Sequence, residues 1–202
     1  MRVLILEGRA GAAGETITRL EQAGHSVSRC HDPNAAVFPC NGMVDGNQCP
    51  LDEDQVDVAV VVRDQGNPEP TASEDGVGCA LRRHIPLVMV GQADSSPYWD
   101  HAVAFAPGPE TAVAAVADAA SAPLPKHDAA AEGALRDVLD RHGFPEVTAS
   151  ATVRRMGRDL MVTLRPGAAL DKNVAEMASV RAVGAVRGVD PWAAKIDVTI
   201  ET

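Results

Sequence analysis

The run VDVAVVV at 56–62 is the most hydrophobic in the chain, and it admits few placements. A stretch so apolar and so short reads as a strand covered on both faces, hence a central strand of a parallel sheet. Other runs fit around it. RVLILE at 2–7 and IPLVMV at 85–90 are further buried strands, 102–106 is another, and the shorter, more polar HSVSRC at 25–30 suits a sheet edge. Helices are predicted between them. One spans 13–24, with Ile17, Leu20 and Ala13 inward and Gly24 as its C-cap; one spans 74–84 behind Ser73; one spans 110–120. Strands alternating with helices call for right-handed crossovers and an α/β fold with a five-stranded parallel sheet.

One crossover departs from that plan. Residues 29–57, RCHDPNAAVFPCNGMVDGNQCPLDEDQVD, fall where a helix belongs, yet Pro33, Pro39, Pro50 and the glycines forbid one of normal length. The same stretch holds Cys30, His31, Cys40 and Cys49, and the fourth cysteine, Cys79, falls on the next helix. The spacing is Cys30-x9-Cys40-x8-Cys49-x29-Cys79, without a C-x-x-C knuckle. In the expected sheet this Cys-rich insertion, 30–55, lies beside the 74–84 helix. On a helical wheel Val77, Leu81 and His84 form one stripe, and Cys79 lies about 160° from its centre, pointing either to solvent or toward whatever packs on the helix's flank, with a covering by the Cys-rich insertion expected. Four readings stay open. Cys30, Cys40, Cys49 and Cys79, with His31 or His84 able to substitute, could bind zinc or an iron–sulfur cluster. Cys40 and Cys49 could form a reversible disulfide, the thiols could simply be buried, or one could be catalytic, although none is paired with a histidine and an orienting residue. Ordering about twenty loop residues opposes folding by about 1–2 kcal/mol each, so apolar anchors at Val37, Phe38 and Leu51 are expected to help a metal hold the segment.

Charge narrows the partners. Residues 1–125 carry 7 Lys and Arg against 17 Asp and Glu, a balance of −10, whereas 126–202 carry 11 of each. An acidic first half lacks the basic stripe that a nucleic-acid backbone needs. The opening MRVLILEGRAG has no signal-peptide h-region, and no apolar run approaches the ~18 residues of a membrane span. A cytoplasmic protein without membrane insertion is expected, where clustered cysteines point to metal or redox chemistry.

Residues 1–121, through RVLILEGRAGAAGETITRLEQAGHSV and the order of elements, resemble the receiver domain of bacterial response regulators, a flavodoxin-like fold. The resemblance implies a phosphoacceptor aspartate at the end of the third strand, but that position is Val62, followed by Arg63 and Asp64. Glu7-Gly8 stands where the receiver has an acidic pair, Gly91 near its hydroxyl and Ala106 near its lysine, with Pro107 matching the proline that follows. This implies a pseudo-receiver. Residues 122–133 are expected as a linker. The remainder, 134–202, reads as a small α+β domain of order α-β-β-α-β: a helix at 134–142, a hairpin turning at Gly157-Arg158-Asp159, a helix at 171–187 with Val174, Met177, Val180 and Gly184 on one face, and a strand at 195–201. That order is similar to the cytoplasmic domain of cation diffusion facilitators and, more loosely, to the alkaline-shock protein family.

The expected function is a non-enzymatic regulatory or scaffold protein, with a Cys-clamped, metal-binding segment and a second domain for dimerisation or docking of a protein partner. No catalytic residue is assigned. The rival is an enzyme binding a small anionic substrate at the carboxyl edge of the sheet, near Glu7, Arg9, Arg63 and Asp64. Weaker features have plain readings. Gly8, Gly11 and Gly14 make a turn rather than a phosphate cradle, Arg154, Arg155 and Arg158 are expected on a solvated edge, Tyr98 and Trp99 form an interaction surface or lid the sheet edge, and His101, His127 and His142 stand exposed.

Overall fold

The structure, a computed structural model, describes residues 1–31, 40–43, 49–53, 56–64, 66, 68–92 and 96–201. It divides into two compact units, Met1–Ala122 and Pro123–Thr202. The first unit runs β1 (Arg2–Glu7), α1 (Gly14–Gln22), β2 (Ser26–Arg29), α2 (Pro50–Glu53), β3 (Val58–Arg63), α3 (Gly76–Arg82), β4 (Leu87–Gly91), β5 (Ala102–Ala106) and α4 (Pro109–Ala120). All five strands pair in parallel in the order β2-β1-β3-β4-β5, the flavodoxin-like order. The hydrophobic run is central as expected: β3 lies between β1 and β4, and all six of its residues are buried.

Alternation along the strands divides the core in two. Val3, Ile5, Val58, Val60, Val62, Val88 and Val90 face α1 and α4, meeting Leu20, Ala112, Ala115, Val116 and Ala119. Leu4, Leu6, Ala59, Val61 and Leu87 face the opposite way, onto Leu51, Val77 and Ala80. Among the described residues the helical cover on this second face is short: α2 has four residues and α3 has seven. The β4–β5 crossover contributes only a 3₁₀ turn at Trp99–His101 among the described residues. There Trp99 stacks on Phe105 at a centroid distance of 4.1 Å, while Tyr98 packs on the second core.

The second unit runs α5 (Pro125–Arg141), β6 (Ala149–Met156), β7 (Asp159–Pro166), α6 (Lys172–Val189) and β8 (Ile196–Ile200). It is the small α-β-β-α-β sandwich read from the sequence. β6 and β7 form an antiparallel hairpin, and β8 adds parallel to β7. Two details differ from expectation. The stretch expected to link the domains is mostly helix, because α5 starts at Pro125, where a missing N–H leaves nothing unsatisfied. Its inward stripe of His127, Ala131, Leu135, Val138 and Leu139 begins well before residue 134. α6 buries Val174, Ala178, Ala182 and Val186 rather than Met177 and Val180, which are exposed. Small side chains every fourth residue let α6 approach close to its neighbour, and closeness outweighs side-chain size. No described helix is long and apolar enough to cross a membrane.

Candidate functional site

Cys30 follows β2 and is tied to the sheet by its N–H, which donates to the Ile5 carbonyl at 3.3 Å. Cys40 and Cys49 each head a short turn: the Cys40 carbonyl accepts from Met43 N and the Cys49 carbonyl from Asp52 N, both at 2.8 Å. Cys79 is in the middle of α3. Cys30, Cys49 and Cys79, all half-buried, pack against the second core of the first unit. Burial pushes the Cys30 thiol up to about 12, and negative charge on Cys49, Cys40, Cys79 and Asp75 would add to that rise. All four cysteines are free thiols, and no three of their sulfurs lie within 4.8 Å of one another. The fold thus places Cys30, Cys49 and Cys79 on one flank without bringing three of the four sulfurs within 4.8 Å of one another.

His31, beside Cys30, is the least satisfied group of the segment. Both of its ring nitrogens are buried, and neither has a hydrogen-bond partner among the described residues. A buried imidazole left this way costs about 1–3 kcal/mol and calls for a ligand, a water or an ion.

The wheel expectation for α3 needs correction. Its buried stripe is Gly76, Val77 and Ala80, while Leu81 is only half-buried. His84 lies past the helix end, exposed and at φ 55°. The cause is Gly76: a Cβ there would come within 2.6 Å of Leu6 Cδ2 and 2.8 Å of Cys30 Sγ. The helix docks closely through that missing side chain, and Cys79 is half-buried against the second core, in keeping with the flank placement rather than the solvent one. Cys79 Sγ also accepts from Arg82 at 3.4 Å. Leu51 is buried as expected, and its carbonyl and the Asp52 carboxylate both accept from Arg83, so α3 grips α2 directly. Val37 and Phe38 lie outside the described residues.

The carboxyl edge of the sheet is occupied by charges that engage one another. Glu7 accepts from Ala13 N at 2.8 Å, Gly11 N at 3.3 Å and Arg29 at 3.3 Å. Arg9 pairs with Asp64. Arg63, with its side chain 2% exposed, makes a two-pronged contact with the fully buried Glu74, Nε to Oε1 at 2.6 Å and Nη2 to Oε2 at 2.7 Å. Glu74 also accepts from Thr71 N at 2.8 Å, and Arg63 donates to the Glu69 carbonyl at 2.9 Å. The sequence reading missed this pair by taking Ser73 as the cap. The spacing T-A-S-E at 71–74, a Thr followed three residues later by Glu, was the signal that could have found it.

The second unit has its own buried polar centre. Arg155, expected at a solvated edge, turns inward to the fully buried Asp190. His127, expected exposed, is buried with Nε2 3.5 Å from the same carboxylate, and Trp192 N donates to Asp190 Oδ1 at 3.1 Å. His142 is exposed, 3.3 Å from Met177 Sδ.

No known protein family matches the chain, and no curated protein matches it in sequence.

Proposed function

We propose that this chain is a non-enzymatic regulatory or scaffold protein. Its first unit is a pseudo-receiver that binds a thiophilic metal through Cys30, Cys40, Cys49, Cys79 and His31, and its second unit docks a protein partner or a second copy in the cytoplasm. The unsatisfied His31 ring carries this reading. A neutral imidazole lends one nitrogen to zinc while the other donates to a neighbour, and thiolates complete a tetrahedral set. Zinc is the first choice, and an iron–sulfur cluster is the alternative for a set made of thiolates alone. Burial holds the Cys30 proton up to about 12, so a metal bound there would have to displace it, releasing a proton and binding more tightly as pH rises. The silent receiver reading is supported by Val62 at the phosphoacceptor position and by the buried Arg63–Glu74 pair beside it.

Metal analysis of the chain purified without an affinity tag tests the reading. One zinc per chain is expected, or iron with acid-labile sulfide, together with thiols that react slowly until a chelator is added. Protein free of stoichiometric metal, with all four thiols immediately reactive, overturns it. In His31→Ala, weaker binding with unchanged circular dichroism is expected.

A further inference from the structure

Two short turns headed by cysteines meet at a glycine. Gly42 lies in the 3₁₀ turn Asn41–Met43 that follows Cys40, and it faces Cys49 at the start of the next turn. A Cβ placed on Gly42 would stand 2.8 Å from Cys49 Cβ, 3.4 Å from its Cα and 3.5 Å from its Sγ. The two nearest atoms are the backbone Cα and the Cβ fixed to it, so neither can swing aside as the tip of a long side chain would. The backbone angle at Gly42 is not the reason for the glycine, since its φ is outside the left-handed region. Nor is a buried core the reason, because Gly42 is exposed. What glycine supplies here is approach, and the group approached is a thiol-bearing residue.

We propose that Gly42 is a positioning residue for the metal site, holding the Cys40 turn against Cys49 so that both sulfurs reach one ion. The inference rests on the metal-binding reading above and adds the element that sets its geometry. A side chain at 42 separates the two turns and withdraws one thiolate. It leaves the sheet untouched, because every atom that such a Cβ meets within 4 Å at its three closest approaches belongs to Cys49. Gly78 provides the control: it lies on α3, one residue from Cys79, and a Cβ there meets nothing within 4 Å.

The test is a cobalt(II) titration of the reduced full-length chain, read by thiolate-to-cobalt charge-transfer absorption, with Gly42→Ala and Gly78→Ala alongside. The unaltered chain is expected to bind one cobalt with a strong charge-transfer band. Gly42→Ala should bind about 10–100-fold more weakly, the range found when supports of metal ligands are removed, and with a weaker band from the lost thiolate. Gly78→Ala should match the unaltered chain in affinity and spectrum, and metal-free Gly42→Ala should unfold at the same temperature as the metal-free unaltered chain. Unaltered affinity and spectrum in Gly42→Ala overturn the positioning role and leave the metal reading standing. A Gly42→Ala chain that is destabilised without metal shows a merely structural glycine. No charge-transfer band in the unaltered chain overturns both.

Discussion

On one face of the five-stranded sheet, α1 and α4 lay Leu20, Val116 and a row of alanines across the valines of β1, β3 and β4. On the other face the same strands present Leu4, Leu6, Ala59 and Val61 to a four-residue helix, a seven-residue helix and three half-buried cysteines. The first cover is made of helices of nine and twelve residues, which make most of their own backbone hydrogen bonds and dock through an apolar stripe. The second is made of pieces too short to persist alone. These pieces add polar and sulfur contacts to their apolar packing: Arg63 to Glu74, Arg83 to Leu51 and Asp52, and Gly76 close against Cys30. One sheet therefore carries one face covered by longer helices and one whose short cover joins polar ties to an apolar core.

The largest effect that separates the faces is expected at Glu74. Glu74→Ala removes the two-pronged carboxylate contact from the buried Arg63 guanidinium and should lower the unfolding free energy by about 3–5 kcal/mol in urea denaturation. Replacing both partners, Arg63→Met with Glu74→Leu, should recover most of that loss. A decrease below about 1 kcal/mol for Glu74→Ala would place the pair among solvent-screened surface bridges and remove the strongest tie on that face.

On the regular face, Leu20→Ala should cost about 2–5 kcal/mol through the cavity it opens, by the same amount with or without metal. Chelation should act on the other face, removing about 2.7 kcal/mol from a protein held at a hundredfold excess of zinc over its dissociation constant. The two losses should add within about 0.5 kcal/mol. Strong coupling between them would show that the faces are not independent.

A smaller, pH-dependent effect belongs to Cys30 in the metal-free protein. Its ordinary value of 9.0 rises to about 12 in the fold. Below about 9 both states hold the proton, and stability does not depend on this group. From 9.0 to about 12 the unfolded chain gives up the proton while the folded chain keeps it, so stability falls across that window. Thermal unfolding followed across it should show the decline, and Cys30→Ser should flatten it. The least effect is expected at the exposed Arg19–Glu15 pair on α1, where Arg19→Ala should change stability by no more than about 0.5 kcal/mol.

Much of the fold is legible in the residues themselves. The apolar runs place all five parallel strands, and the final domain reads in its correct order, because burial on both faces or on alternate residues writes a period into the chain. Helix faces are less legible. The inward stripes of α3 and α6 are Gly76-Val77-Ala80 and Val174-Ala178-Ala182-Val186, where small residues win by allowing close approach, and a wheel weighted by side-chain size points elsewhere. The start of α5 is hidden because proline at its first position looks like a loop residue.

Composition and spacing alone singled out four cysteines and His31, in or beside a crossover that proline and glycine keep from being one long helix. They could not say that Cys30, Cys49 and Cys79 share one apolar flank, that both His31 nitrogens are buried and unmatched, or that Gly42 abuts Cys49. Local sequence fixes what each segment can form, through periodicity and backbone freedom. Which side chains meet depends on how closely segments distant in the chain approach, and at Gly42 and Gly76 that distance is set by an atom that is absent.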